Sequence, residues 1–183
     1  KYEFIPMPGY THMQKAMPSS VGMWAGSFAE QLLDQVKILK SVYKFNDQSS
    51  LGSGAAYGVS LSIDRELTAK ILGFSKVQNN PIYCQASRVT VQLSITQLLV
   101  QIMLCSSRFA QDLLIFTTSE FDFFTVNESI CTGSSIMPQK KNLDLMEYVR
   151  AKTHTVIAHQ QLLASIVSSL PSGYNADFGQ TKK

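Results

Sequence analysis

The sequence predicts an all-α protein built as a bundle of long helices, with central helices that pack into an oligomeric bundle. Three observations predict it. Apolar residues recur at helical spacing through residues 18–43. The stretch between Arg88 and Arg108 carries no charge at all. Residues 145–169 form another long helical run. Charged residues make up 16% of the chain, against about 25% in an average soluble domain. A helix buried on most sides by other helices explains the uncharged stretch. The chain has 183 residues, enough for one domain with a sizeable core, but one such domain does not easily surround several such helices. Subunit association does, so the composition points to an oligomer.

Taken in order, residues 1–17 read as extended or irregular, punctuated by Pro6, Pro8 and Gly9. Pro18 suits the first turn of a helix. From there to about Tyr43, Val21, Trp24, Phe28, Leu32, Val36, Leu39 and Val42 form an apolar stripe. Residues 48–60 are rich in Gly and Ser and form a loop. Ser62 is expected to cap a short helix that has Glu66 in its first turn and ends near Gly73. A single long helix is expected from about Gln85 to Thr118. At ~1.5 Å per residue it spans roughly 50 Å, a length that belongs to bundles. Residues 119–143 form a long connection, and long connections in compact domains are functional or disordered. A third long helix runs from about Leu145 to Ser169 and is ended by Pro171 and Gly173. There is no internal repeat and no low-complexity tract.

The net charge of +3 is too small to argue for nucleic acid. About 20 apolar residues suffice to cross a bilayer, but Gln92, Ser94, Thr96, Gln97 and Gln101 interrupt the uncharged run and argue against a membrane partner. No signal-peptide pattern opens the sequence. Cys84, Cys105 and Cys131 lack CxxC spacing and a nearby His pair. They fit free, mostly buried thiols in a reducing, cytoplasmic compartment and imply no metal.

The segment that helix packing does not explain is Gly133-Ser134-Ser135-Ile136-Met137-Pro138-Gln139-Lys140-Lys141-Asn142. It gathers hydroxyls, cationic amines, an amide and several backbone N–H groups just ahead of a helix. Removing a proton next to a carboxylate produces a dianionic aci-carboxylate. That species needs fixed donors and positive charge at the carboxylate and a base at the carbon. A serine becomes such a base when its oxyanion is held by the N–H groups of a Gly-rich turn and by a nearby lysine. Physics alone does not separate Lys140 from Lys141. Asn142 can donate to a carboxylate from its amide, or cap the following helix.

This string resembles the GSSxMPxKxN signature of the fumarase/aspartase superfamily, whose members eliminate fumarate from succinyl-containing substrates. Its Gln-Lys-Lys form looks most like the argininosuccinate lyases. Met7-Pro8-Gly9-Tyr10-Thr11-His12-Met13-Gln14 is similar to their MPGYTHLQ segment. Leu51-Gly52-Ser53-Gly54-Ala55 with Ile63-Asp64-Arg65-Glu66, and Leu170-Pro171-Ser172-Gly173-Tyr174-Asn175, match two further segments in order. The resemblance implies argininosuccinate as substrate, arginine and fumarate as products, and no cofactor. It implies a helical protomer and a tetramer whose active sites each take segments from three subunits. The chain reads as one helical domain, an internal piece of a longer enzyme that lacks the upstream Ser-Arg-Asn segment.

Residue by residue, the resemblance assigns Ser134 as general base and Lys140 to the aci-carboxylate. It pairs His12 with Glu147, either to protonate the leaving guanidino nitrogen or to bind a carboxylate. By position alone Glu147 is a first-turn glutamate favoured by the helix dipole. Thr11, Gln14, Ser135, Asn142 and Arg88 are expected at substrate, with Tyr174 at its arginine end. A Gln-x-x-Lys pattern follows in the family. Gln180 and Lys183 fill it with one residue inserted, and Gly179 and Lys182 without. His154 and His159 read as structural. Tyr83 and Val89 stand where the family has Asp, and Leu143 where it has Pro. Residues 127–141 are expected to order over bound substrate. An adenylosuccinate lyase is disfavoured by Pro8-Gly9-Tyr10 and by the Gln-Lys-Lys run. An inactive scaffold is disfavoured by the presence of Ser134, His12, Lys140 and Glu147.

Overall fold

The computed structural model describes residues 1–182. The chain is mostly helical, as expected, with two small antiparallel strand pairs. Residues 1–17 are more ordered than the sequence implied. Strands β1 (Pro6–Thr11) and β2 (Gln14–Ser20) form a hairpin. Pro18 therefore lies in β2, where it pairs with Pro8, rather than in a first helical turn. Helix α1 (Val21–Asn46) starts three residues later, with the Ser20 hydroxyl accepting from Met23 N at 3.1 Å.

The short helix α2 (Arg65–Ile71) is capped by Asp64, whose side chain accepts from Leu67 N at 2.9 Å. Ser62 is not its cap; a carboxylate one residue ahead of the helix reaches the orphan N–H directly. The expected single helix from Gln85 to Thr118 is two. Helix α3 (Pro81–Ala86) is capped by Asn80 and opens on a proline. It stops at Ser87, and α4 (Arg88–Phe116) follows. At the break the buried Ser87 hydroxyl accepts from Gln78 Nε2 at 3.2 Å. At the far end of α4 the hydroxyls of Thr117 and Thr118 donate to the carbonyls of Leu113 and Ile115. The connection then holds a 3₁₀ turn (Glu128–Ile130) and a two-residue ladder between β3 (Thr132–Gly133) and β4 (Lys141–Asn142). Helix α5 (Asp144–Val167) follows, and Ala176–Lys182 form a 3₁₀ segment that no sequence signal indicated.

The chain divides into two compact units. The first comprises Lys1–Val36 and Val100–Thr155. Its core is aromatic: Trp24 lies 5.3 Å from Phe109, 5.5 Å from Phe28, 5.4 Å from Phe124 and 5.9 Å from Phe116, ring centre to ring centre. The Trp24 indole N–H donates to Asp112 at 2.9 Å, so its one polar atom is satisfied. Thr153 on α5 donates to Met103 O on α4 at 3.2 Å.

The second unit comprises residues 37–99 and 156–183. Arg65 is its staple. The guanidinium donates to Leu51 O and Gln78 O, both at 2.8 Å, and to Asn79 O at 3.4 Å, tying two loop segments to α2. The matching Ile63–Glu66 segment is thus structural here. Val89 is 2% exposed and belongs to this core, which explains an apolar residue where the family has Asp. Leu143, 8% exposed, belongs likewise to the core of the first unit. Cys84 and Cys105 are buried and free, and Cys131 is half-buried and free. Among the described residues α4 is the one helix long and apolar enough to cross a membrane, by length and composition alone.

Two glycines on α1 give a matched test. A Cβ on Gly22 would lie 2.6 Å from the Glu3 carbonyl oxygen and 2.9 Å from its Cα, whereas Gly26 has nothing within 4 Å. Gly22→Ala is expected to destabilise by about 1–3 kcal/mol through this backbone clash, and Gly26→Ala to stabilise by up to about 1 kcal/mol through helix propensity. Thermal denaturation of both variants checks the opposite signs.

Candidate active site

In the first unit, three segments carry the expected chemistry. The first is the β1–β2 turn. Thr11 and Gln14 pair at its mouth, and His12 and Met13 form the turn itself, all four exposed. His12 has φ +53° and Met13 φ +61°. Two successive positive values are those of a type I′ hairpin turn, which normally takes Asn-Gly.

The second segment is the loop closed by the β3–β4 ladder, in which Thr132 faces Asn142 and Gly133 faces Lys141. Within it the Ser134 hydroxyl oxygen accepts from Met137 N at 3.2 Å and from Ile136 N at 3.4 Å. Lys140 N donates to Met137 O at 3.0 Å and closes the turn. Ser135 and Lys140 are exposed, and Ile136 is 82% exposed, so the loop stands out into solvent on a fixed base. That base is riveted twice. Lys141 Nζ donates to Glu128 Oε1 at 2.6 Å, and the Thr132 hydroxyl donates to Asp144 Oδ2 at 2.6 Å. Lys141 is therefore the structural lysine of the pair, and the Lys140 side chain makes no hydrogen bond or ion pair among the described residues. Asn142 lies in β4 rather than at the start of α5, and its amide makes no hydrogen bond among the described residues.

The third segment is the first turn of α5, with Asp144 and Glu147. Glu147 is exposed and lines two cavities. One, of about 360 Å³, also has Asn142, Lys141, Cys131, Asp122 and Thr117 on its wall. The other, of about 550 Å³, is shared with Arg150 and His154. The chain thus brings Asn142 and Glu147 to one cavity. It forms no hydrogen bond or ion pair between His12 and Glu147, or from either to Ser134, among the described residues.

In the second unit, the Arg88 guanidinium carbon lies 4.8 Å from the ring centre of Phe178 and 5.5 Å from that of Tyr174. Arg88 and Tyr174 line a cavity of about 330 Å³ with Gln85 and Ser50. Gln180 and Lys182 lie on the 3₁₀ segment beyond Tyr174, and Lys183 lies outside the described residues. No cluster of three His, Cys, Asp or Glu side chains suited to a metal occurs among the described residues. Sequence reasoning missed Glu128, Thr132 and Phe178. Each acts through a partner more than three residues away, which no local spacing announces.

A protein family described as lyase matches residues 1–158. The chain belongs to this lyase family. The argininosuccinate lyase of Thermotoga neapolitana is 45% identical over 179 residues, which is 98% of this chain and 45% of that protein. The argininosuccinate lyase of Sorangium cellulosum is 45% identical over 177 residues, or 97% and 41%. The chain spans less than half the length of these curated lyases. Among solved structures, EDDS lyase in complex with formate superposes with a TM-score of 0.90 at 24% identity, covering 94% of this chain and 34% of that one. The class II fumarase of Schistosoma mansoni superposes with a TM-score of 0.75 at 19% identity, covering 91% and 40%. Both likenesses establish the lyase fold.

The Glu128–Lys141 pair predicts how the loop base responds to pH. The hydrogen bond from Lys141, then its charge, holds the Glu128 carboxyl below its ordinary value. The same hydrogen bond and charge hold the Lys141 ammonium above its own. The contribution of a lowered glutamate is present above about pH 4.3 and lost as pH falls through the lowered value. That of a raised lysine is present below about pH 10.4 and lost as pH rises through the raised value. The brace therefore holds across the neutral range. The pair is exposed, so its effect is local rather than global. Glu128→Gln is expected to speed hydrogen exchange of residues 134–140 at pH 7, and the unsubstituted protein to match it only in acid. Equal exchange rates at pH 7 would remove the brace from the account.

Proposed function

We propose that this chain supplies part of an argininosuccinate lyase, which cleaves argininosuccinate to arginine and fumarate by base-catalysed elimination. The observation that carries the reading is Ser134. Its oxygen already receives two backbone N–H groups inside a loop closed at both ends. Such donors favour the alkoxide over the neutral hydroxyl, because they interact more strongly with a full negative charge. An alkoxide there takes the proton from the substrate carbon next to a carboxylate. The freed electron pair forms the double bond of fumarate as the C–N bond breaks, and the guanidino nitrogen leaves with that bond's pair and acquires a proton.

In this reading the Lys140 ammonium lies against the carboxylate while it carries the extra charge. Lys141, already paired with Glu128, holds the loop. Asn142, Ser135, Thr11 and Gln14 donate to the substrate carboxylates. Arg88, Tyr174 and Gln180 receive the arginine end. His12 and Glu147 form their pair between subunits, either protonating the departing nitrogen or holding a carboxylate. Their exposure within one chain supports this division. No cofactor is needed for the elimination. The identity to argininosuccinate lyases along the chain supports the choice of substrate.

Surface area supports association into a tetramer. The chain exposes 12792 Å², whereas an ordinary folded protein of 20.3 kDa exposes about 8,800 Å². Leu33, Val36 and Leu39 on α1 and Leu99 and Leu104 on α4 are among the exposed side chains that other copies would cover. With subunits covering it, α4 is a core helix of a cytoplasmic enzyme rather than a membrane span.

The test is fumarate release by the full-length protein offered argininosuccinate and adenylosuccinate side by side. Release from argininosuccinate alone is expected, with kcat reduced by about 10²–10⁴-fold in Ser134→Ala and more mildly in Lys141→Met. Release from neither substrate by a folded tetramer would sink the reading.

A further inference from the structure

The Pro8-Gly9-Tyr10 stretch precedes the His12 turn, and no role in the elimination requires it. The structure gives it one. Between Pro8 and Tyr10 the β1–β2 register shifts by one residue: Ala16 and Met17 of β2 stand opposite Gly9 alone, so β2 carries the bulge and Gly9 faces it. A Cβ there would lie 2.9 Å from Met17 O. A bulge bends the strand pair and increases its local twist, and at that point the Tyr10 ring lies 5.5 Å from Phe121, 6.2 Å from Phe123 and 6.4 Å from Phe116. These three rings also pack on one another, at 5.3–6.1 Å. The seat is fixed by the backbone as well, because Phe123 N and Phe124 N both donate to Phe116 O, at 2.9 and 3.2 Å. The Tyr10 hydroxyl has no hydrogen-bond partner among the described residues, so the ring rather than the hydroxyl makes the attachment.

The turn beyond Tyr10 needs such an attachment. His12 and Met13 both adopt the left-handed region, which is unfavourable for a residue with a Cβ. Conformations of that kind persist only where the surroundings over-determine them. His12 and Met13 are exposed and supply no packing of their own. On one side the turn is continuous with Tyr10 and its three-ring seat.

We propose that Tyr10 is a positioning residue: its ring, seated on Phe116, Phe121 and Phe123, holds the strained His12-Met13 turn so that His12 is presented in a single orientation. The inference rests on the reading that His12 acts in the elimination. It makes the 121–124 loop part of the apparatus that orients the histidine, although that loop carries none of the assigned catalytic groups.

The experiment uses the full-length protein and measures kcat/KM for argininosuccinate in Tyr10→Leu, Phe121→Leu, His12→Asn and the double variant Tyr10→Leu/His12→Asn, with thermal melts of each. Tyr10→Leu keeps an apolar side chain but loses the ring and its hydroxyl. It is expected to lower kcat/KM by about tenfold to a hundredfold, the scale of an ångström-sized misplacement, with Phe121→Leu following in the same direction. Tyr10→Phe should recover most of that loss. The double variant should lose no more than His12→Asn alone, because Tyr10 acts through His12. Losses that simply multiply in the double variant would assign Tyr10 a general packing role and overturn the proposal. So would wild-type kcat/KM in both leucine variants while His12→Asn is inactive, with the histidine reading left standing. Full turnover by His12→Asn would overturn both.

Discussion

The first unit depends on what converges at Phe116. Its ring meets Trp24 from α1, Tyr10 from the hairpin and Phe121, Phe123 and Phe124 from the connection. Its carbonyl, one of those a helix end leaves without an intrahelical partner, accepts from Phe123 and Phe124 instead. One residue at the end of α4 thus gathers α1, the hairpin that carries His12 and the 121–124 stretch. Aromatic groups suit this task because each brings a large apolar area with few rotatable bonds, and tilted ring pairs add attraction beyond area. The small hairpin has little core of its own and takes its order from this cluster.

The 133–142 loop is organised on the opposite principle. It buries almost nothing, and polar links hold its base: the short ladder, the Lys141–Glu128 pair and the Thr132–Asp144 hydrogen bond. Links of that kind are individually weak in water. They fix where the loop begins and ends while its tip, with Ser135 and Ile136, stays open to solvent. A rigid base under an exposed tip is what a loop needs if it is to close over a substrate. The two adjacent lysines are distinguished by this arrangement, since Lys141 is tied into the base and the Lys140 side chain has no hydrogen bond or ion pair among the described residues.

In the second unit two arginines do different work. Arg65 donates to three backbone carbonyls of two irregular loops. Arg88 stacks on Tyr174 and Phe178, which ties the 3₁₀ segment to the start of α4. Both exploit the planar guanidinium, which lysine does not offer. The exposed apolar residues on α1 and α4 are the counterpart of this economy: the chain spends few of its large side chains on its own core and presents the rest outward.

The sequence by itself determined the helical class, the three long helical stretches and the position of the Ser134 loop, because helical periodicity and a compact motif are local properties. Pro8-Gly9-Tyr10 and the Gln-Lys-Lys run also carried its resemblance to the argininosuccinate lyases. Its errors were at edges and breaks. Pro18 lies in a strand opposite Pro8, and the helix through Ser87 breaks where Gln78 donates to that hydroxyl. The apparent mismatches Val89 and Leu143 read as losses until their burial revealed them as core. Tertiary structure alone decided which lysine is tied, what seats Tyr10 and what Arg88 stacks on. Each of those depends on a partner distant in sequence, and a contact between distant residues leaves no period or spacing in a single chain from which to read it.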